Sequence, residues 1–249
     1  MKRIATEFLI VVAGILVALA VDQWRQDREE LRILNDSLAD VAQEVRGNIR
    51  TVERIQNRAL AEKMKGLETV IRFLGDTRAP VDDAPALMRA FATSTIGATP
   101  WLVNDRFEAL RNSGNLRLLR NEKLANELTD AYEGPHVMLT QVERIQGAYP
   151  AVVNELIPAT LQSRLSATRW YTRDSSAPTI NDVADAASAV DEIRTRRLEL
   201  LPLARGEAAV ATGKWYALER TNRDLHELLK LLAPWDTQAA GVAGNTPSP

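Results

Sequence analysis

The chain contains no cysteine and only two histidines, His136 and His226. Disulfides, thiolate metal sites and cysteine nucleophiles are therefore excluded, and imidazole chemistry is confined to what two distant residues can do. The missing cysteines fit either side of a membrane and do not fix a compartment. Glycine (12) and proline (11) are few for 249 residues, so turns are scarce and helix formers dominate. A net charge of −2 leaves no broad basic field, and no nucleic-acid partner is expected. No phosphate-binding glycine loop or internal repeat is present. Ser113 lies in Asn-Ser-Gly-Asn rather than the Gly-x-Ser-x-Gly of a nucleophile elbow. The sequence predicts no catalytic residue, no cofactor and no metal, and hence a protein that is not an enzyme.

What the chain does have is helical pattern. Met1-Lys2-Arg3 is a short basic tail, and residues 4–21 form an apolar run interrupted only by Thr6 and Glu7. As a helix this run of about eighteen residues spans ~27 Å, close to the ~30 Å of a bilayer core. Trp24 follows where an interfacial ring is favoured. The run therefore predicts a transmembrane signal-anchor. Its rivals are a buried soluble helix and a cleaved signal peptide, for which Ala18-Leu19-Ala20 supplies an A-x-A pattern. Retention is favoured because Asp22 to Glu30 contains no Gly or Pro and continues the helix past that point. Basic residues flank both ends, Lys2 and Arg3 against Arg25, Arg28 and Arg32. A short basic tail before a first helix usually stays inside, which places the C-terminal domain outside the cytoplasm. The expected location is the bacterial plasma membrane, with the lipid bilayer as first partner.

Beyond the anchor, residues 22–235 read as a helical bundle domain and 236–249 as a disordered tail rich in small and polar residues. Leu31, Leu34, Leu38, Val41, Val45, Ile49, Val52 and Ile55 step by three or four residues. After one step of five, Leu60, Met64, Leu67, Ile71 and Leu74 continue the stripe. Asp36, Glu44, Arg46, Arg50, Glu53, Arg54 and Arg58 are assigned to the solvent face, and Gly47 and Gly66 are read as weak points. The stripe serves either packing within its own domain or a coiled-coil stalk in a homo-oligomer. Gly75-Asp76 ends it, and Asp83 is placed to cap a helix over Pro85–Ala92.

Further helices are predicted from Asn104 or Asp105 to a break at Ser113-Gly114, from an Asn121 cap to Tyr132, and from beyond a Gly134-Pro135 break. Pro150 and Pro158 should kink or divide that last helix. Residues 166–178 form a loop holding Trp170-Tyr171, and Thr179 to Asp182 resembles a capping box. The final third reads as one or two helices. Val183, Ala187, Val190 and Leu198 mark the first, Pro202 and Gly206 interrupt, and Trp215 to Leu232 carries the second until Pro234. No strand and no second membrane span is predicted. The fold class is thus all-α: an N-terminal transmembrane helix continuing into a long amphipathic helix, packed in a multi-helix bundle.

Two stretches carry a resemblance. Glu7-Phe8-Leu9-Ile10-Val11-Val12-Ala13-Gly14-Ile15-Leu16-Val17-Ala18-Leu19 with Trp24, and Phe107-Glu108-Ala109-Leu110-Arg111-Asn112-Ser113-Gly114-Asn115-Leu116-Arg117-Leu118-Leu119 followed by Ala131-Tyr132, stand in this order. Together they resemble a widespread bacterial family of uncharacterised single-pass membrane proteins with a domain of unknown function. That family has a similar anchor and a central Ser-Gly-x-Leu helical signature. The likeness covers residues 4 to about 135. Ala20 departs from it, since the family usually has a Gln-like residue there. The resemblance implies membrane attachment and a helical domain, and no known activity.

The most distinctive polar patch is Arg111, Asn112, Ser113, Gly114, Asn115, Arg117 and Arg120, which reads either as an anion site or as a capped helix connection. The pairs Trp170-Tyr171 and Trp215-Tyr216 line a ligand pocket or pack in the core; His136 and His226 are read as ordinary surface or interface residues. The function expected is a membrane-anchored helical interaction or ligand-binding module, non-catalytic, with a membrane partner protein or homo-oligomer. The alternative is an oligomeric structural or scaffolding membrane protein.

Overall fold

A computed structural model describes residues 2–78, 80–119, 121–144, 147–157 and 183–236, with side chains for all but 2–11, 136, 143–144 and 183–185. Every regular element among them is helical. In order these are α1 (Lys2–Arg54), a π-helical turn (Ile55–Leu60), α2 (Ala61–Gly75), α3 (Ala84–Ser94), α4 (Asp105–Asn112), a 3₁₀ turn (Asn115–Leu118), α5 (Glu122–Arg144), α6 (Tyr149–Leu156), α7 (Val183–Thr195), α8 (Arg197–Leu231) and a 3₁₀ turn (Ala233–Trp235). They pack as helix bundles, so the all-α class is as the sequence predicts. The contacts gather into two compact units: Met1–Asn48 with Val103–Tyr132 and Asp224–Pro249, and Ile49–Leu102 with Glu133–Arg223.

In the first unit, α1 begins to bury side chains only at Leu34; every described side chain from Val12 to Ile33 is exposed. Leu34, Leu38, Val41, Ala42 and Val45 then join a core with Phe107, Leu110, Leu124, Leu128, Leu225 and Leu228. Among the described residues no helix is long and apolar enough to cross a membrane. The described side chains of α1 begin at Val12, inside the apolar run of residues 4–21.

In the second unit, α2 packs on α3, and α3 also meets α6 and α7. Phe73 and Phe91 meet edge to face at 6.3 Å within a core that includes Leu60, Leu67, Val70, Met88 and Ile193. The single five-residue step of the sequence stripe, Ile55 to Leu60, coincides with the π-helical turn. A π turn adds one residue per hydrogen-bonded ring, which is how an i+5 spacing keeps one face inward.

Local signals behave as expected where no packing opposes them. Asp83 Oδ1 accepts the Ala86 N–H at 2.8 Å and starts α3; Asn121 Oδ1 accepts the Leu124 N–H at 3.2 Å and starts α5. Gly114, with φ of 75°, makes the left-handed stop after α4.

Several expectations are overturned. Gly134-Pro135 does not separate two helices: α5 runs through it, with Leu124, Leu128, Ala131, Pro135 and Leu139 all buried along one stripe. That continuous burial outweighs the ~3 kcal/mol an internal proline costs. Pro202 and Gly206 likewise lie inside α8. Leu198, whose carbonyl loses its partner at Pro202, is 84% exposed, so water can satisfy it. The break falls earlier, at Arg196, and Leu198 is no core residue. Glu44 is buried rather than on a solvent face. Asp236, assigned to a disordered tail, is buried and paired with Arg46. Pro158, residues 166–178 with Trp170-Tyr171, Thr179 to Asp182 and residues 237–249 lie outside the described residues.

Candidate functional site

The predicted polar patch lies in the first unit. Arg111, Asn112, Ser113, Gly114 and Arg117 are exposed and Asn115 half-buried; Arg120 lies outside the described residues. Arg111 pairs with Glu108 at 2.6 Å and stands 5.8 Å over the Phe107 ring. Ser113 Oγ donates to the Leu110 carbonyl at 2.9 Å and accepts the Asn115 N–H at 3.4 Å. The Arg117 N–H donates to the Gly114 carbonyl at 3.3 Å. These bonds close a helix–turn–helix connection on itself, and the guanidinium of Arg111 is spent on a neighbouring carboxylate.

The polar chemistry of the first unit sits instead on α1. Asp40, Glu44 and Asn48 share one face by their spacing of four. Glu44 accepts the backbone N–H of Arg106 at 2.8 Å, that of Phe107 at 3.4 Å and the Tyr132 hydroxyl at 2.7 Å. A carboxylate from a distant helix thus satisfies the free donors that open α4. Asn48 clamps Val103 through both backbone groups, at 2.7 and 2.9 Å, and Asp40 holds Arg106 at 3.2 Å. Phe107 stacks on Tyr132 with ring centres 4.5 Å apart. Burial, then the bond to Glu44 and its charge, push the Tyr132 phenol far above its ordinary value. This is a docking latch that ties α1 to the start of α4 and to α5.

The second unit holds a buried ion pair. Lys63 of α2 binds Glu207 of α8 and donates to the Ile96 carbonyl at 2.9 Å; both side chains are over nine-tenths buried. Glu207 Oε2 has no hydrogen-bond partner among the described residues. Ser94 and Tyr149, both fully buried, share a 2.6 Å hydrogen bond. Since Ser94 Oγ also donates to the Phe91 carbonyl at 2.6 Å, its single proton is used and Tyr149 is the donor. Burial and, after the opposing effect of the Ser94 bond, the Glu207 charge push the Tyr149 phenol up.

The open cavity of this unit lies between α2, α3 and the loop joining them, with a volume of about 780 Å³. Phe73, Leu87, Ala86, Ala90 and Gly66 line its apolar part. Its rim carries Lys65, Arg72 and Arg89 beside Glu62, Asp76, Asp82 and Asp83. Arg72 is held by Glu68 at 2.9 Å, and Arg89 stands 3.9 Å from Asp83. The volume suits a small amphipathic molecule, with an apolar body against Phe73 and Leu87 and polar groups at the rim. A second cleft of about 410 Å³ lies along Met64, Leu67, Ile71, Ala208 and Thr212.

Neither cavity uses a residue of the predicted polar patch or of the two Trp-Tyr pairs. Trp215 is half-buried while Tyr216 is 65% exposed, so the pair does not line one pocket. His226 is exposed, and the His136 side chain lies outside the described residues. Among the described residues no three His, Asp or Glu side chains gather to hold a metal ion. The α2–α3 cleft was not legible because its lining comes from two helices and a loop, and only Gly66 hints at their close approach. No family model, curated protein or solved structure matches this chain.

Proposed function

We propose that this protein is a membrane-tethered helical binding module, non-catalytic, whose N-terminal helix enters the bacterial plasma membrane and whose α2–α3 cleft takes a small amphipathic ligand. The observation that carries the reading is the exposure of every described side chain of α1 from Val12 to Ile33. An all-round apolar segment that packs against nothing among the described residues is stable in hydrocarbon and costly in water. Val12, Ile15, Leu16, Val17, Leu19 and Val21 are all exposed, and the sequence extends this apolar character back to Ile4. The helix runs unbroken from Lys2 past the A-x-A pattern, which supports retention of the anchor over cleavage. The charged neck that follows, with Trp24 under Arg28 at 4.5 Å, suits an interface and the water beyond it. The resemblance to single-pass bacterial proteins points the same way.

Flotation with phospholipid vesicles tests the tether. The full chain is expected to float and to resist alkaline extraction, while a chain lacking residues 2–21 stays at the bottom. A full chain that sediments free of vesicles, or whose mature N-terminus is Val21, refutes it. Sidedness is read from single cysteines at the exposed positions Asn57 and Gln141. An impermeant thiol reagent is expected to label them in intact spheroplasts, as an extracytoplasmic domain requires. Labelling only after lysis reverses the orientation.

A further inference from the structure

Arg46, Arg50, Arg54 and Arg58 stand at every fourth position across the end of α1 and the π-helical turn. Arg46 is neutralised by the buried Asp236. Arg50, Arg54 and Arg58 are exposed and hold no carboxylate among the described residues. Exposed cations on other helical faces behave differently: Arg32, Arg72 and Lys230 each take a carboxylate three or four residues away. Like charges four residues apart weaken a helix, so the charge of this row does not serve the helix that carries it. The three guanidiniums follow the axis over about 12 Å. In an α-helix each step of four drifts forward by about 40°. The wider π-helical turn at Ile55–Leu60 winds less per residue and brings Arg58 back toward the line.

We propose that the row of Arg50, Arg54 and Arg58 docks an acidic helix of a partner protein, one with carboxylates repeating every four residues. The mate of a straight row of guanidiniums is a row of carboxylates with the same period, and the guanidinium fork accepts a carboxylate through two parallel bonds. Glu53 and Glu62 flank the row in sequence, and the chain as a whole carries −2, so a dense polyanion meets repulsion that spaced carboxylates avoid. A second copy of this chain is not the mate. Its own acids at the same spacing, Asp36, Asp40 and Glu44, are held by Arg32, Arg106 and the start of α4. The row lies apart from the α2–α3 cleft, and the inference does not depend on the tether.

The probe is a labelled alanine-rich helical peptide with three Glu at four-residue steps, set against an isomer whose three Glu are spread around the helix. Fluorescence anisotropy with the full chain in nonionic detergent reads both. The row peptide is expected to bind about tenfold tighter than the isomer, the sum of three exposed ion pairs, and to weaken as salt rises. Replacing Arg50, Arg54 and Arg58 together by Gln is expected to remove that advantage while leaving Tm equal or higher. Arg54→Glu is expected to lose the row peptide and to regain binding when the peptide's middle Glu becomes Lys, a swap that reads the contact even if the triple variant melts lower. No binding, equal binding of the two peptides, no effect of the triple variant, or no recovery in the swap overturns the proposal. Stronger displacement of the row peptide by a short oligonucleotide than by unlabelled peptide marks a general polyanion patch and overturns it as well.

Discussion

Two glycines in the same sequence stripe should respond to alanine with opposite signs. Gly66 faces α3 so closely that a Cβ built there would lie 2.4 Å from Thr93 Oγ1, 2.8 Å from the Ala90 carbonyl oxygen and 3.0 Å from the Ser94 nitrogen. Thr93 can rotate away, but the other two atoms are backbone, so α3 itself has to move. That helix carries Phe91 and Met88 into the core and Ser94 against Tyr149, so the shift is felt well beyond the contact. Overpacking of this kind costs about 1–3 kcal/mol, here at the upper end, against a helix-propensity gain of ~1 kcal/mol. The net expectation for Gly66→Ala is a loss of about 2 kcal/mol, or roughly 4–8 °C in Tm for a chain of this size. Gly47 has nothing within 4 Å of the same built atom. Gly47→Ala should therefore gain about 0.5–1 kcal/mol and melt higher. Thermal unfolding of the full chain in detergent, followed by circular dichroism at the helix band, reads both. Equal shifts of the same sign would refute the close helix crossing at Gly66.

Three further outcomes follow from the polar latches. Glu44→Ala strands two backbone donors and the Tyr132 hydroxyl, each costing about 1–3 kcal/mol if it stays buried and unpaired; hydrogen exchange at Arg106 and Phe107 should accelerate, and unchanged exchange would dismiss the latch. Lys63→Met or Glu207→Leu alone should cost about 3–5 kcal/mol by leaving one buried charge, whereas the double variant should recover much of that loss; additive melting losses would contradict a coupled pair. Tyr132 and Tyr149 have folded pKa values raised above the ordinary value of 10.0. Their contribution to stability is complete below that value and falls as pH rises beyond it, by about 1.4 kcal/mol per pH unit for each phenol. Absorbance titration should show two phenols ionising only with unfolding, and Tyr132→Phe and Tyr149→Phe should each remove one; normal titration of all tyrosines would remove the argument.

Features governed by a few adjacent residues were readable from the sequence. Asp83 and Asn121 cap the helices they precede because an Asx oxygen reaches only its own first turn. Gly114 stops α4 because little else tolerates its φ. Even the π-helical turn was written as a five-residue step. Readings failed where packing at long sequence range overrode a local rule. Pro135 and Pro202 break helices in isolation, yet each lies within a helix held by buried neighbours on both sides. Glu44 sits in a polar stripe and becomes buried only because the start of α4, far along the chain, needs an acceptor. Gly66 resembled a flaw because the helix that requires its missing Cβ is not its sequence neighbour.

The same distinction bears on what the chain is for. With aromatics at 5% and many alanines, its helices present shallow apolar faces, which specify register poorly. Buried polar groups supply the missing specification: Asn48 fits only a backbone that offers a carbonyl and an N–H together, and Lys63 only a position where Glu207 and the Ile96 carbonyl converge. Such latches spend the buried polar side chains on holding helices in place. The surfaces left over are the mixed-charge rim of the α2–α3 cleft and the exposed side chains of α1 from Val12 to Ile33. Those surfaces are what the proposed binding role rests on, and the opposed responses of Gly66 and Gly47 measure how rigidly the cleft between α2 and α3 is held.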